Sequence, residues 1–81
     1  MTEKIQEIIE ILNQVIHDPS VPRNIRRGAD EAKEILLDES HEIKNRTSSA
    51  LYILEPLSND RNLPMHARTV LWNVAGALET V

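Results

Sequence analysis

Asp18-Pro19-Ser20-Val21-Pro22-Arg23-Asn24-Ile25-Arg26 and Asp60-Arg61-Asn62-Leu63-Pro64-Met65-His66-Ala67-Arg68 are two copies of one signal: an Asp, a Pro four residues on, and an Arg four beyond that. Each copy opens with residues that break a helix. Each then sets a proline where the next helix starts and a missing N–H does no harm. The copies lie 42 positions apart (60 − 18), and sliding the chain by that distance extends the match in both directions. Ile11 falls on Ile53, Leu12 on Leu54 and Leu36 on Leu78, while Ile9/Leu51, Val15/Leu57, Val21/Leu63, Ile25/Ala67 and Ala29/Leu71 keep apolar character. A fixed internal period of this length marks a duplicated supersecondary unit. It predicts a single domain over 1–81 made of two related helical hairpins, about 3–39 and about 41–80.

Working outward from the two breaks, apolar residues recur at helical spacing almost everywhere. The first helix is expected over about 3–17, with Ile5, Ile8, Ile9, Leu12, Val15 and Ile16 inward and Thr2 as its cap. The second starts at the 18–22 break, capped by Ser20, and buries Ile25, Ala29, Ala32 and Leu36 before ending near 38–40. A third carries Ile43, Thr47, Ala50, Leu51, Leu54 and Leu57, with Pro56 expected to kink or fray its last turn. The fourth runs from about 63 to 79 and buries Leu63, Ala67, Val70, Leu71, Val74, Ala77 and Leu78. No segment alternates with period two for long enough to form a strand. The fold class is all-α, most simply a compact four-helix bundle in which the two apolar faces close on each other. Both Asp-containing turns then lie at one end, within reach of each other.

Composition closes several routes. The 81 residues include 41% hydrophobic and 27% charged residues, which excludes disorder through low hydrophobicity. Tyr52 and Trp72 are the only aromatic residues, so the core must be aliphatic. With no cysteine there is no disulfide, thiolate metal site or thiol nucleophile. No apolar run approaches the roughly 18–20 residues of a membrane span, and residues 1–6 lack a signal-peptide layout. A soluble cytoplasmic protein without a membrane partner is expected. Because chains of this size sit near the lower limit for one unassisted core, homo-oligomerisation, a dimer first of all, is expected to help.

A two-helix repeat with Asp at the turn and Arg early in the second helix resembles the HEAT and armadillo class. The runs 18–27 (Asp-Pro-Ser-Val-Pro-Arg-Asn-Ile-Arg-Arg) and 63–72 (Leu-Pro-Met-His-Ala-Arg-Thr-Val-Leu-Trp) also resemble the signatures of a small archaeal family of uncharacterised proteins. That resemblance spans nearly the full chain. It implies a four-helix bundle in an archaeal cytoplasm and brings no activity with it.

The net charge of −4 is unevenly spread. Arg23, Arg26 and Arg27 crowd the start of the second helix, and His66 and Arg68 open the fourth, where helix N-termini favour acids. Asp30, Glu31, Glu34, Asp38, Glu39 and Glu42 form an acidic stretch broken only by Lys33, read as a solvated face. The inverted polarity calls for acidic counterparts. Asp18 and Asp60 are expected to supply them as ion pairs with Arg26 and Arg68 that lock the two turns together. The alternative is a small-anion or RNA-phosphate site built from Arg23, Arg26, Arg27 and Arg68 with free N–H groups at two helix starts, or a partner's acidic segment. The acidic total argues against nonspecific duplex nucleic acid binding.

Trp72 is the other departure from local rules. A 100° step per residue sets it roughly opposite the buried stripe, beside Met65, Arg68, Ala75 and Gly76. Trp, Met and Arg are enriched at interfaces and Gly lets a neighbouring backbone approach. Self-association or docking through this face is the leading expectation; the alternatives are an indole covered by the chain's own N-terminal segment or by Arg68, or a ligand stacked on the ring. His17, His41 and His66 lack metal-ligand spacing, so no metal is expected. Ser40-His41-Glu42 holds catalytic residue types, but neighbours on a helix start point apart. No cofactor loop is present. A noncatalytic interaction module is therefore expected rather than an enzyme.

Overall fold

A computed structural model of the chain describes residues 2–81; Met1 and the Thr2 side chain, read above as a cap, lie outside what it describes. Four helices account for the described secondary structure: α1 (Thr2–Ile16), α2 (Arg23–Leu37), α3 (Ile43–Ser58) and α4 (Met65–Glu79). The bounds of α2 and α4 differ by 42 at both ends (65 − 23 and 79 − 37), so the repeat seen in the sequence is a repeat of helix limits. None of the described helices is long and apolar enough to cross a membrane.

The connections 17–22, 38–42 and 59–64 are short, which forces each helix antiparallel to the one before it. α1 packs on α2 and α4, and α3 packs on α2 and α4; among the described residues the backbones of the diagonal pairs do not come close. The helices thus form a closed ring. A HEAT-like stack would set α1 on α3 and α2 on α4, and this is not the arrangement found. Two hairpins alone would leave an open stack with uncovered apolar faces at both ends, whereas face-to-face closure covers both. The turns 17–22 and 59–64 share one pole, as expected, and the turn 38–42 lies at the other with the C-terminus.

The core follows the expected stripes. Ile25, Ala29, Ala32 and Leu36 are all fully buried, as are Leu12, Ala50 and Val74. Ile16, Ile43, Leu51, Leu57, Val70 and Ala77 are only half-buried, at the margins of the stripes. Two buried positions escaped the sequence reading: Val21, inside a turn, and Ser58, whose hydroxyl donates to the Glu55 carbonyl at 2.8 Å. Pro56 does not break α3, which runs two residues further; proline near a helix end removes a hydrogen bond from the turn that is already terminating. Ser20 is not the cap of α2. Pro22 occupies the N-cap with no side-chain bond, and Ser20 turns back to Asp18.

Candidate functional site

The three turns share one construction. The amides of Asp18, Asp38 and Asp60 donate to the carbonyls of Val15, Ile35 and Leu57 at 3.1–3.2 Å, closing the helix before each turn. Their carboxylates then accept from the amides two residues on: Ser20 at 2.9 Å, Ser40 at 3.0 Å and Asn62 at 2.8 Å. This Asx geometry is what Asp-x-Ser and Asp-x-Asn favour. The Ser20 hydroxyl bonds first of all, then the His66 ring and the Ser20 amide, hold the Asp18 carboxyl at about 2, well below its ordinary value. Asp38 is lowered in the same way, chiefly by the Ser40 hydroxyl and amide.

Eight residues after each of these aspartates stands an arginine: Arg26, Arg46 and Arg68. Arg68 donates from Nε to the Ser58 carbonyl at 3.1 Å and from Nη2 to the Asp60 carbonyl at 2.8 Å. Arg46 donates from Nη1 to the Leu36 carbonyl at 3.0 Å. Both guanidinium groups reach back to the last carbonyls of the preceding helix, where a cation is favoured by the helix dipole and by unpaired acceptors. This accounts for the cation at the start of α4 and for Arg46 in α3, whereas Arg23, Arg26 and Arg27 at the start of α2 make no such bond. A cation early in one helix serves the C-terminal end of its antiparallel neighbour. Arg26 makes no such bond, and its buried Nε has no partner.

The expected Asp18–Arg26 and Asp60–Arg68 side-chain ion pairs do not form. Among the described residues the side chains that come within 4 Å of a carboxylate in this way are histidines, His66 at Asp18 and His41 at Asp38. Arg68 meets Asp60 through the main-chain carbonyl, while the Asp60 carboxylate accepts from the Asn62 amide and the Asn24 side chain. The two aspartates instead cross to the other hairpin. His66 Nε2 lies 2.8 Å from Asp18 Oδ2, and Asn24 Nδ2 donates to Asp60 Oδ2 at 3.3 Å. Asn24 and His66 are themselves 42 apart (66 − 24), so these are the same contact made twice about a pseudo-two-fold axis. The corners meet at one pole, with different partners from those expected.

Ser20, His66 and Asp18 bring three catalytic residue types together, but their wiring is not a relay. Asp18 and Ser20 both approach the same nitrogen, His66 Nε2, at 2.8 and 3.4 Å, and the Ser20 hydroxyl donates to Asp18 at 2.7 Å. A nucleophilic triad needs the carboxylate on one ring nitrogen and the hydroxyl on the other. The described residues contain no group of three or more His, Asp or Glu placed to hold a metal ion.

The anion site is likewise divided. Arg23 and Arg27 are exposed on α2, Arg26 is half-buried, and Arg68 is turned into the Ser58 and Asp60 carbonyls. At the far pole a cavity of about 250 Å³ is walled by Ile5, Leu36, Leu37 and Ile43, with Arg46 at its edge.

The outer face of α4 stands apart. Trp72 is 55% exposed and Met65 66%, so more than half of the indole residue stays open to solvent. The ring borders an open groove with Ser58, Asn59, Arg61 and Arg68. Gly76, one turn further, is exposed, and a Cβ built there would meet nothing within 4 Å. Ala75 is half-buried at the margin. Sequence reasoning missed Tyr52, 82% exposed on α3, and Arg46. The signal for Arg46 was available: Asp38-x-Ser40 followed by Arg46 repeats the corner pattern, disguised by Glu42 where the other copies have proline.

The chain belongs to the uncharacterised protein family UPF0147, whose model matches residues 1–81. A UPF0147 protein of Thermococcus kodakarensis is 54% identical over 82 residues, spanning 100% of this chain and 99% of its own length. That of Methanosarcina mazei is 45% identical over 80 residues, spanning 99% and 86%. A crystal structure of a protein of unknown function matches at TM-score 0.95 with 39% identity, covering 99% of this chain and 91% of that one. A UPF0147 crystal structure from Thermoplasma acidophilum matches at TM-score 0.92 with 30% identity, covering 98% and 93%. The expected likeness to an archaeal family of uncharacterised four-helix proteins is borne out.

Proposed function

We propose that this member of UPF0147 is a noncatalytic, cytoplasmic interaction module that self-associates or docks a protein partner through the outer face of α4. Trp72 carries the reading. An indole 55% exposed, in line with a Met 66% exposed and a glycine that leaves open space beside it, is a combination that solvent does not favour and that interfaces use. Arg68 and Ala75 frame the same face. The turns support the noncatalytic part: Asp18, Ser20, Asp38, Ser40 and His66 are occupied in closing or bridging them, and the reading requires no cofactor, nucleic acid or membrane.

Size-exclusion chromatography with light scattering, together with affinity capture from cell extract, tests the proposal on the native chain and on Trp72→Ala. Association with its own copy or with a defined protein that is lost in Trp72→Ala is the expected result. Identical monomeric masses for both forms, with no protein retained by either, would remove the reading.

A further inference from the structure

We infer that the occupant of the α4 face is a second copy of this chain, packed antiparallel so that Trp72 of each protomer fills the space above Gly76 of the other. The inference rests on the reading of this face as the docking surface and adds its partner and register.

Three features of α4 point to self-complementarity. At 100° per residue, Met65, Arg68, Trp72, Gly76 and Glu79 fall within about 40° of the indole's direction, so they form one continuous stripe. Trp72 and Gly76 are then a projection and a depression one turn apart, about 6 Å along the axis. An isologous two-fold axis beside Val74 exchanges them: residue n faces residue 148 − n, so 72 meets 76 and 76 meets 72. One symmetry operation fills both depressions. The open space at Gly76 is what the ring needs, since any Cβ would hold the partner's indole away from the backbone.

Charge selects the direction. Arg61 and Arg68 flank the indole towards the start of α4, and Glu79 closes the other end. Antiparallel packing at this register sets Arg68 opposite Thr80, beside the partner copy's Glu79, and opposes the helix dipoles. Parallel packing would set cation on cation and carboxylate on carboxylate. A foreign acidic segment would use the cationic half alone and would leave the bare glycine without a role.

Sedimentation of the full chain from about 1 μM to 1 mM tests the inference, with a concentration-dependent shift from the 9.2 kDa monomer to twice that mass expected. Gly76→Leu enters open space in the monomer, so it should keep the native helical signal while weakening dimerisation about tenfold or more. Glu79→Arg should also weaken it, where docking of an acidic foreign partner would be strengthened. A monomer at every concentration overturns the inference, and Trp72-dependent capture of a different protein would then leave the docking face standing. A dimer indifferent to both Gly76→Leu and Trp72→Ala overturns the register and the docking face together.

Discussion

Asp18 Oδ2 and His66 Nε2 meet at 2.8 Å although 48 residues of chain separate them, and the contact ties the first turn to the start of the last helix. At the opposite end of the same seam Lys4 Nζ donates to Thr80 Oγ1 at 2.6 Å. Both pairs sum to 84 (18 + 66 and 4 + 80), the arithmetic of two antiparallel helices in fixed register. The α1–α4 seam closes the bundle, and no covalent connection holds it, so these polar pairs fix how the first and last helices align.

Acid should therefore loosen this seam. The Asp18 carboxyl titrates at about 2 when folded and near 3.9 when unfolded, so the unfolded chain binds its proton first. The stabilisation is complete above about pH 5 and is lost as pH falls towards 2. Unfolding midpoints of the native chain and Asp18→Asn should differ at pH 5 and converge near pH 2. A gap that stays constant across that range would show that the carboxylate's charge is irrelevant. Asp38, lowered in the same direction, leaves a residual slope in the variant.

The three corner arginines should not be equivalent. Arg68 makes two charge-assisted bonds, to the last carbonyl of α3 and to the Asp60 carbonyl in the following turn, and losing such bonds while leaving acceptors unpaired costs about 1–3 kcal/mol. Arg46, with one bond to Leu36 and a buried Nε that also lacks a partner, should cost less. Arg26 has a buried Nε without a partner, so Arg26→Met keeps the stem's packing and removes a desolvated donor. Urea unfolding should place Arg26→Met within about 0.5 kcal/mol of native or above it, and Arg68→Met below Arg46→Met. An Arg26→Met variant as damaged as Arg68→Met would contradict the arrangement.

Local pattern carried most of the fold into view and stopped at the pole. The α2 stripe Ile25, Ala29, Ala32 and Leu36 is legible because one face of a helix repeats regardless of what covers it. The 42-residue period likewise located both corners. Which group each aspartate meets was not legible. Asp18 chooses between Arg26 in its own hairpin and His66 in the other, and only closure of the ring brings His66 near. Periodicity also could not tell a stack from a ring, since both bury the same stripes. The exposure of Trp72 was readable by the same wheel that buried Leu71, whereas that of Tyr52 was overlooked because it sits between half-buried Leu51 and Ile53.

Core truncation should separate these two kinds of position sharply. Leu12 and Leu54 are 0% and 1% exposed and lie on α1 and α3, at opposite corners of the ring. Leu→Ala at either should cost about 2–5 kcal/mol, a large part of what so small a domain has. Tyr52→Ala, at 82% exposure, should fall within about 0.5 kcal/mol of native. Denaturant midpoints for the three variants check the ranking, and a tolerant Leu12 or Leu54 would mean the ring's centre is not packed as described.

The two helical glycines offer the finest distinction, because both replacements make the same local gain and only their surroundings differ. Exchanging Gly for Ala inside a helix favours folding by about 0.5–1 kcal/mol. At Gly76 a new methyl meets nothing within 4 Å, so Gly76→Ala should realise that gain when measured on dilute protein. At Gly28 the methyl would lie 2.5 Å from Leu57 Cδ1 and 3.2 Å from Cδ2. Leu57 is half-buried between α2 and α3, so its isopropyl group can turn aside only by giving up part of its packing. That loss is of the same order as the propensity gain, which places Gly28→Ala near or below native stability. Thermal and urea unfolding at micromolar concentration should therefore rank Gly76→Ala above native and Gly28→Ala clearly below Gly76→Ala. Equal gains at both sites would mean that α2 and α3 do not approach as closely at Gly28 as the Leu57 contact requires.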